Sequence, residues 1–182
     1  FAPVLVSCKR EKDAISIWLT NDRLNVCAGK LTVRLTSFSG RTVWKRRLFV
    51  TGAANASAEV LRLDARVWRR VDTTGHYIIV RCDMDDGAVL ENRFYFEEPK
   101  HLKLPRPKVK ARISRNRDGD LVVIVKAATF VKNVRLEGSG GNAVFYDNYF
   151  DMEAGEERTV RVVSWGAKAS ELKGVSLRTL AD

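Results

Sequence analysis

Glu97-Glu98-Pro99-Lys100-His101-Leu102-Lys103-Leu104-Pro105-Arg106-Pro107-Lys108-Val109-Lys110 is the stretch that divides this chain. Pro99, Pro105 and Pro107 are three of the four prolines in the sequence. Proline fixes φ, offers no N–H to a sheet ladder and pushes the residue before it towards an extended conformation. Lys100, Lys103, Arg106, Lys108 and Lys110 keep the segment solvated. Such a stretch suits neither a central strand nor a helix. It reads as a short, semi-rigid linker between two domains. A long loop inside one domain is the competing reading, and the alternating apolar runs on both sides favour the linker.

Upstream of the linker, period-two alternation dominates. Ile15, Ile17 and Leu19 alternate with Ser16, Trp18 and Thr20, and Leu31, Val33 and Leu35 with Thr32, Arg34 and Thr36. Successive strand side chains leave by opposite faces, so each apolar set marks a core face. Further strands are expected at Pro3–Lys9, Thr42–Val50, Ser57–Leu63, His76–Asp83 and Val89–Phe96. Turn signals stand at Asn21-Asp22, Ala28-Gly29, Ser39-Gly40 and Asp86-Gly87. Asp64–Asp72 is expected to hold a helical turn. Seven short strands with regular turns predict a β-sandwich.

Downstream, Val109, Ala111 and Ile113 alternate, and Asp118-Gly119 turns into Leu121–Lys126, apolar on both faces and therefore central. Strands are also expected at Val131–Glu137, Arg158–Trp165 and Gly174–Leu180. A turn is expected at Ser139-Gly140-Gly141-Asn142 and one helical turn at Ser170–Lys173. The fold class is thus all-β, two tandem β-sandwiches over residues 1–98 and 109–182, joined by a Pro/Lys-rich linker at 99–108.

Composition narrows the function classes. Hydrophobic content of 45% is enough for a core in each half. No apolar run approaches the roughly 20 residues of a membrane helix, and no membrane partner is expected. The net charge is +10. Residues 1–104 hold 18 Lys+Arg against 12 Asp+Glu, and residues 105–182 hold 14 against 10. Positive charge spread in this way reads as a solvated surface, not a dedicated nucleic-acid site, although Lys45-Arg46-Arg47 is a tight cluster. Cys8, Cys27 and Cys82 are odd in number, which argues against a disulfide framework. Cys8 and Cys82 lie in phase with apolar neighbours and read as buried free thiols, a Cys8–Cys82 bridge being the lesser alternative. No Cys/His spacing suits zinc, and no cofactor is expected. A chain beginning at Phe1 is expected to be a piece of a longer protein.

Other local patterns carry less. Asp83-Met84-Asp85-Asp86-Gly87 and Asn116-Arg117-Asp118-Gly119-Asp120 lack the late bidentate Glu of a calcium loop and read as hairpin turns. Asn55-Ala56-Ser57 is a glycosylation sequon, relevant only in a secretory setting. Asp72-Thr73-Thr74-Gly75-His76-Tyr77 precedes an apolar strand and resembles the tyrosine corner of immunoglobulin-like domains, with Ile79 where an antibody domain has Cys. Tyr77 is accordingly given a structural role.

Val144-Phe145-Tyr146-Asp147-Asn148-Tyr149-Phe150-Asp151-Met152-Glu153-Ala154-Gly155-Glu156 is the most informative phrase. Phe145 and Phe150 are expected to plug a sandwich end, and Asp147 and Asn148 to bond local backbone. Asp147, Asn148, Tyr149 and Phe150 are therefore structural candidates. The phrase resembles the C-terminal immunoglobulin-like domain of glycoside hydrolase family 2 β-mannosidases, with Ala154 where that family often has proline. Phe1-Ala2-Pro3-Val4-Leu5-Val6-Ser7 resembles the opening of the preceding sandwich in those enzymes. Ile17-Trp18-Leu19-Thr20-Asn21-Asp22 is similar to their second strand. Phe94-Tyr95-Phe96 followed by Pro99–Pro105 is similar to their interdomain link. The resemblance implies immunoglobulin-like sandwiches from a retaining exo-glycosidase acting on β-linked mannosides or related sugars. Its two catalytic glutamates would lie in an upstream (β/α)8 barrel of the same polypeptide, so no catalytic residue carries over.

The sequence itself offers no substitute for them. Glycoside hydrolysis needs two carboxyls about 5–10 Å apart across the sugar. Glu97-Glu98 and Glu156-Glu157 are adjacent, and strand neighbours point to opposite faces. His76 and His101 are the two histidines available as bases. Trp18, Trp44, Trp68 and Trp165 are candidates for core packing, interdomain contact or sugar stacking, the last with a β-mannoside or other oligosaccharide as partner. Carbohydrate binding and polyanion binding stand as the alternative functions. Free thiols are compatible with a cytoplasmic parent as well as with a periplasmic, secreted or lysosomal-type one.

Overall fold

The computed structural model describes residues 2–139, 143–164, 172 and 174–181. The chain forms two compact units, one of Phe1–Ser37 with Arg41–Lys103, the other of Phe38–Gly40 with Leu104–Asp182. Both are all-β. The first contains β1 (Val4–Arg10), β2 (Ala14–Asn21), β3 (Cys27–Ser37), β4 (Thr42–Gly52), β5 (Ala56–Asp64), β6 (His76–Met84) and β7 (Val89–Tyr95). They pair antiparallel as two sheets, β1-β2-β5 and β4-β3-β6-β7. The alternating sets of β2 and β3 face each other across the sandwich: Ile17, Leu19, Leu31, Val33 and Leu35 are all fully buried. Each such side chain contributes about 1.5–3 kcal/mol of apolar burial.

The second unit contains β8 (Val109–Arg115), β9 (Leu121–Ala127), β10 (Val131–Ser139), β11 (Ala143–Phe145), β12 (Phe150–Met152), β13 (Glu157–Ser164) and β14 (Gly174–Arg178). Its sheets are β11-β13-β9-β8 and β12-β10-β14. β9 lies between β8 and β13, which explains its apolar residues on both faces: Val123 and Val125 enter the core, and Val122 is buried on the other side. The core is closed by Val134, Leu136, Phe150, Met152 and Val160.

Two features of the strands depart from the sequence reading. Ala28-Gly29 is not a turn but lies within β3. Gly29 is needed there because a Cβ would stand 2.8 Å from the Asp83 carbonyl oxygen and 2.9 Å from the Met84 sulfur. The glycine marks a close approach of β3 to β6. The short strands β11 and β12 were not foreseen, since three residues are too few to show a period. The expected glycine turn at 140–142, the helical turn at Ser170–Lys173 and Trp165 lie outside the described residues.

Asp64 caps a short turn at Ala65–Val67 through a 2.8 Å bond from the Arg66 N–H. The two Asx-rich loops are hairpin turns with Gly87 and Gly119 at φ of 86°. Asn116 Oδ1 accepts from the N–H groups of Asp118 and Asp120, closing its turn. Cys8, Cys27 and Cys82 are free thiols. Burial pushes the thiols of Cys8 and Cys82 up to about 11, so both stay neutral and unreactive at ordinary pH.

The proline-rich segment is tied down at both ends, each within its own unit. Lys103 N–H donates to the Thr74 carbonyl at 2.9 Å, and its ammonium pairs with Asp72 at 2.8 Å. Farther on, Lys108 N–H donates to Thr129 Oγ1 at 2.9 Å, and Ala128 N–H to the Lys108 carbonyl at 2.7 Å. The Lys103 ammonium first, then the Thr74 hydroxyl, hold the Asp72 carboxyl down to about 2 from an ordinary 3.8. A carboxyl depressed in the folded state stabilises it above its unfolded pKa and loses that effect as pH falls through the folded one. Urea unfolding should therefore grow easier as pH drops from 3.8 towards about 2. Lys103→Ala should flatten part of that slope. The effect is small because both groups are exposed, and an identical slope in the variant would discount the pair.

Candidate functional site

The aromatic phrase stitches β12 to β10 through side chains as well as backbone. Asn148 bonds both polar groups of one β10 residue: its Oδ1 accepts from Leu136 N–H at 2.7 Å, and its Nδ2 donates to the Leu136 carbonyl at 3.1 Å. The partner is backbone, but 12 residues away, where a local loop bond was expected. Asp147, also expected to bond local backbone, instead pairs with Arg158 at 3.1 Å. The same Arg158 guanidinium lies 4.5 Å from the Phe150 ring centre. Phe150 itself is buried, opposite Val134. Asp151 Oδ1 accepts from Asn133 N–H at 2.8 Å, and Oδ2 meets Lys132 Nζ at 3.2 Å.

Tyr149 stands at φ 62°, in the left-handed region that a bulky side chain seldom adopts. Its N–H donates to the Val134 carbonyl at 2.8 Å, so the bonds on either side hold the strained residue. Tyr149 is 59% exposed and Tyr146 72% exposed. Each has an arginine beside it, Arg135 at 6.0 Å from Tyr149 and Arg161 at 5.0 Å from Tyr146. Gly155, at φ 84°, completes the turn into β13.

In the first unit the corresponding knot is Asn21, which is 0% exposed. Its Nδ2 donates to the carbonyls of Asn25, Gly52 and Ala53 at 2.9, 3.2 and 3.0 Å. Its Oδ1 accepts from Arg23 N–H at 3.1 Å. One side chain thus fixes both the β2–β3 loop and the end of β4. Tyr77 is buried at the start of β6, its ring stacked on Tyr95 at 5.8 Å. Asp72 caps the turn before it, accepting from Thr74 N–H at 3.0 Å.

The three tryptophans among the described residues, Trp18, Trp44 and Trp68, do not form one site. Trp18 is half-buried on β2, opposite Ser7 and Glu59, with its indole N–H buried and without a partner among the described residues. Trp44 is on the edge strand β4 and Trp68 in the loop after β5, and both pack partly against the core. The Trp68 ring lies 5.8 Å from Phe96. Among the described residues the most exposed large hydrophobic ones are others: Leu24 at 92%, Phe49 at 82% and Tyr146 at 72%. The sequence reading offered only tryptophans as candidate contact rings; alternation along β4 would also have placed Phe49 outward, where it pairs across the strands with Lys30.

The paired glutamates serve local structure. Glu97 accepts from the Thr73 hydroxyl at 2.8 Å, and Glu98 pairs with Lys100 at 2.8 Å. Glu156 accepts from Glu153 N–H at 2.8 Å, while Glu157 lies 4.0 Å from Lys126. Among the described residues, no group of three or more His, Cys, Asp or Glu side chains is placed to hold a metal. A cleft of about 250 Å³ is lined by Arg23, residues 25–28 and residues 84–86. An apolar groove of about 610 Å³ runs along Pro107–Lys110, Lys126–Ala128 and Gly155. Trp18, Trp44 and Trp68 line neither.

Residues 13–101 match the family model described as Mannosidase Ig/CBM-like domain, and residues 104–182 the one described as Ig-fold domain. Comparison with curated proteins gives no match. Among solved structures, β-D-mannosidase from Dictyoglomus thermophilum superposes on 97% of this chain with a TM-score of 0.81 at 18% identity. Exo-chitosanase CsxA of Amycolatopsis orientalis superposes on 97% with a TM-score of 0.65 at 14% identity. The chain spans 21% of the first structure's length and 25% of the second's. At such identities the likeness is one of fold.

Proposed function

Residues 13–101 belong to the Mannosidase Ig/CBM-like domain family and residues 104–182 to the Ig-fold domain family, and on that premise we propose that the chain is a non-catalytic accessory region of a larger glycosidase. The parent hydrolyses terminal β-linked mannosides or related sugars as a retaining exo-glycosidase, and its catalytic glutamates lie in an upstream (β/α)8 barrel. Residues 99–108 link the two sandwiches, which buttress that barrel. The carrying observation is the tandem of the two family matches, in order, over nearly the whole chain. The knots at Asn21 and Asn148 support a scaffolding role, since their polar groups are consumed in holding backbone. Incubating the 182-residue chain with a chromogenic β-mannoside should give no turnover above buffer. Turnover well above buffer would overturn the accessory reading.

Carbohydrate binding is the second reading, favoured by the exposed rings of Tyr146 and Tyr149 with their flanking arginines. Calorimetry with manno-oligosaccharides decides it: absence of heat at millimolar ligand removes it.

A further inference from the structure

We propose that the loop Asp22–Val26 is the surface on which the upstream domain of the parent polypeptide docks; the proposal rests on the functional reading above. Leu24 is 92% exposed and Val26 66% exposed, two apolar side chains within three residues. They are not the tips of a slack loop. Asn21 holds the Asn25 carbonyl and the Arg23 N–H, Asn55 N–H donates to the Arg23 carbonyl at 2.9 Å, and Arg23 pairs with Asp86. The scaffold keeps both side chains in water, so little order has to be gained on docking.

The occupant follows from position. Asp22 N–H donates to the Pro3 carbonyl at 2.9 Å, which sets the loop beside the first strand's beginning. A domain attached ahead of that strand is tethered within a few residues of the loop, and a short tether gives a high effective concentration. The chain spans only 21% and 25% of the two comparison structures, so such enzymes have ample polypeptide for the purpose. Asp85 lines the adjoining cleft of about 250 Å³, beside the Arg23–Asp86 pair. The fitting partner surface is an apolar knob with a basic or N–H-donating neighbour.

Hydroxyl-radical footprinting of the 182-residue chain and of the full-length gene product tests this. Labelling of Leu24 and Val26 should fall at least about fivefold in the full-length protein, as accessible area does in an interface core. Equal labelling in both overturns the proposal. Protection that appears in the 182-residue chain itself and grows with concentration also overturns it, by naming a second copy as the occupant. β-Mannoside hydrolysis is measured on the same full-length sample. Hydrolysis with an unprotected loop sinks the docking surface alone, whereas protection without hydrolysis sinks the functional reading and leaves the docking surface standing.

Discussion

Asn21→Ala is expected to destabilise the first sandwich by about 2–4 kcal/mol, because it releases three backbone carbonyls that the Asn21 amide holds, one of them buried. The amide donates to three carbonyls, and Gly52, one of the three acceptor residues, is itself buried. Its neighbourhood has no slack to rearrange: a Cβ on Gly52 would meet the Cys27 sulfur at 2.9 Å and Leu19 Cδ2 at 3.2 Å. The loss therefore combines unpaired carbonyls with a small cavity. Asn21→Asp should be no better, since a carboxylate facing three carbonyl oxygens has no proton to offer them. Urea unfolding followed by tryptophan fluorescence measures the change, and a loss under about 0.5 kcal/mol, the range of ordinary surface substitutions, would contradict the account.

Asn148→Ala should cost the second sandwich a similar amount, about 2–4 kcal/mol, for a related reason. Leu136 is 2% exposed, and both its backbone polar groups are held by the Asn148 amide. The side chain stands in for a strand partner where β12, three residues long, has ended. Without it, Leu136 N–H and C=O are left buried and unpaired. Hydrogen exchange at the Leu136 amide gives the most direct readout, with much faster exchange in the variant. An unchanged rate at that amide would mean that another group already holds it, and the clamp would have to be abandoned. Asn148→Asp keeps the acceptor and loses the donor, and should fall between wild type and Ala.

The resemblance that identified the family also ran through these two residues, Asn21 in the second-strand phrase and Asn148 in the aromatic one. Asn148 was read as a structural candidate and Asn21 only as part of a turn signal, and the work of neither was visible. Asn148 was expected to bond local backbone, and Asp147 with it. The structure gives Asn148 a partner on β10 and gives Asp147 to Arg158. The Ala28-Gly29 pair misled for the same reason. A glycine signals an unusual backbone or a close approach, and only the neighbouring strand β6 shows that here it is the second.

Alternation of apolar and polar residues is a property of adjacent positions, so the sequence alone determined that the chain is all-β, where most strands run and which faces of β2 and β3 turn inward. The proline-rich middle, equally local, marked the place between two sets of strands. Hydrogen-bond partners and exposure depend on residues far apart in sequence, as Asn21 depends on Gly52 and Ala53. Tertiary structure therefore decided that Asn21 and Asn148 are knots, that Gly29 is a contact point and that Leu24 and Val26 stand in water. A side chain's environment is set by whatever strand packs beside it, and the pairing of strands is the one thing a period of two cannot encode.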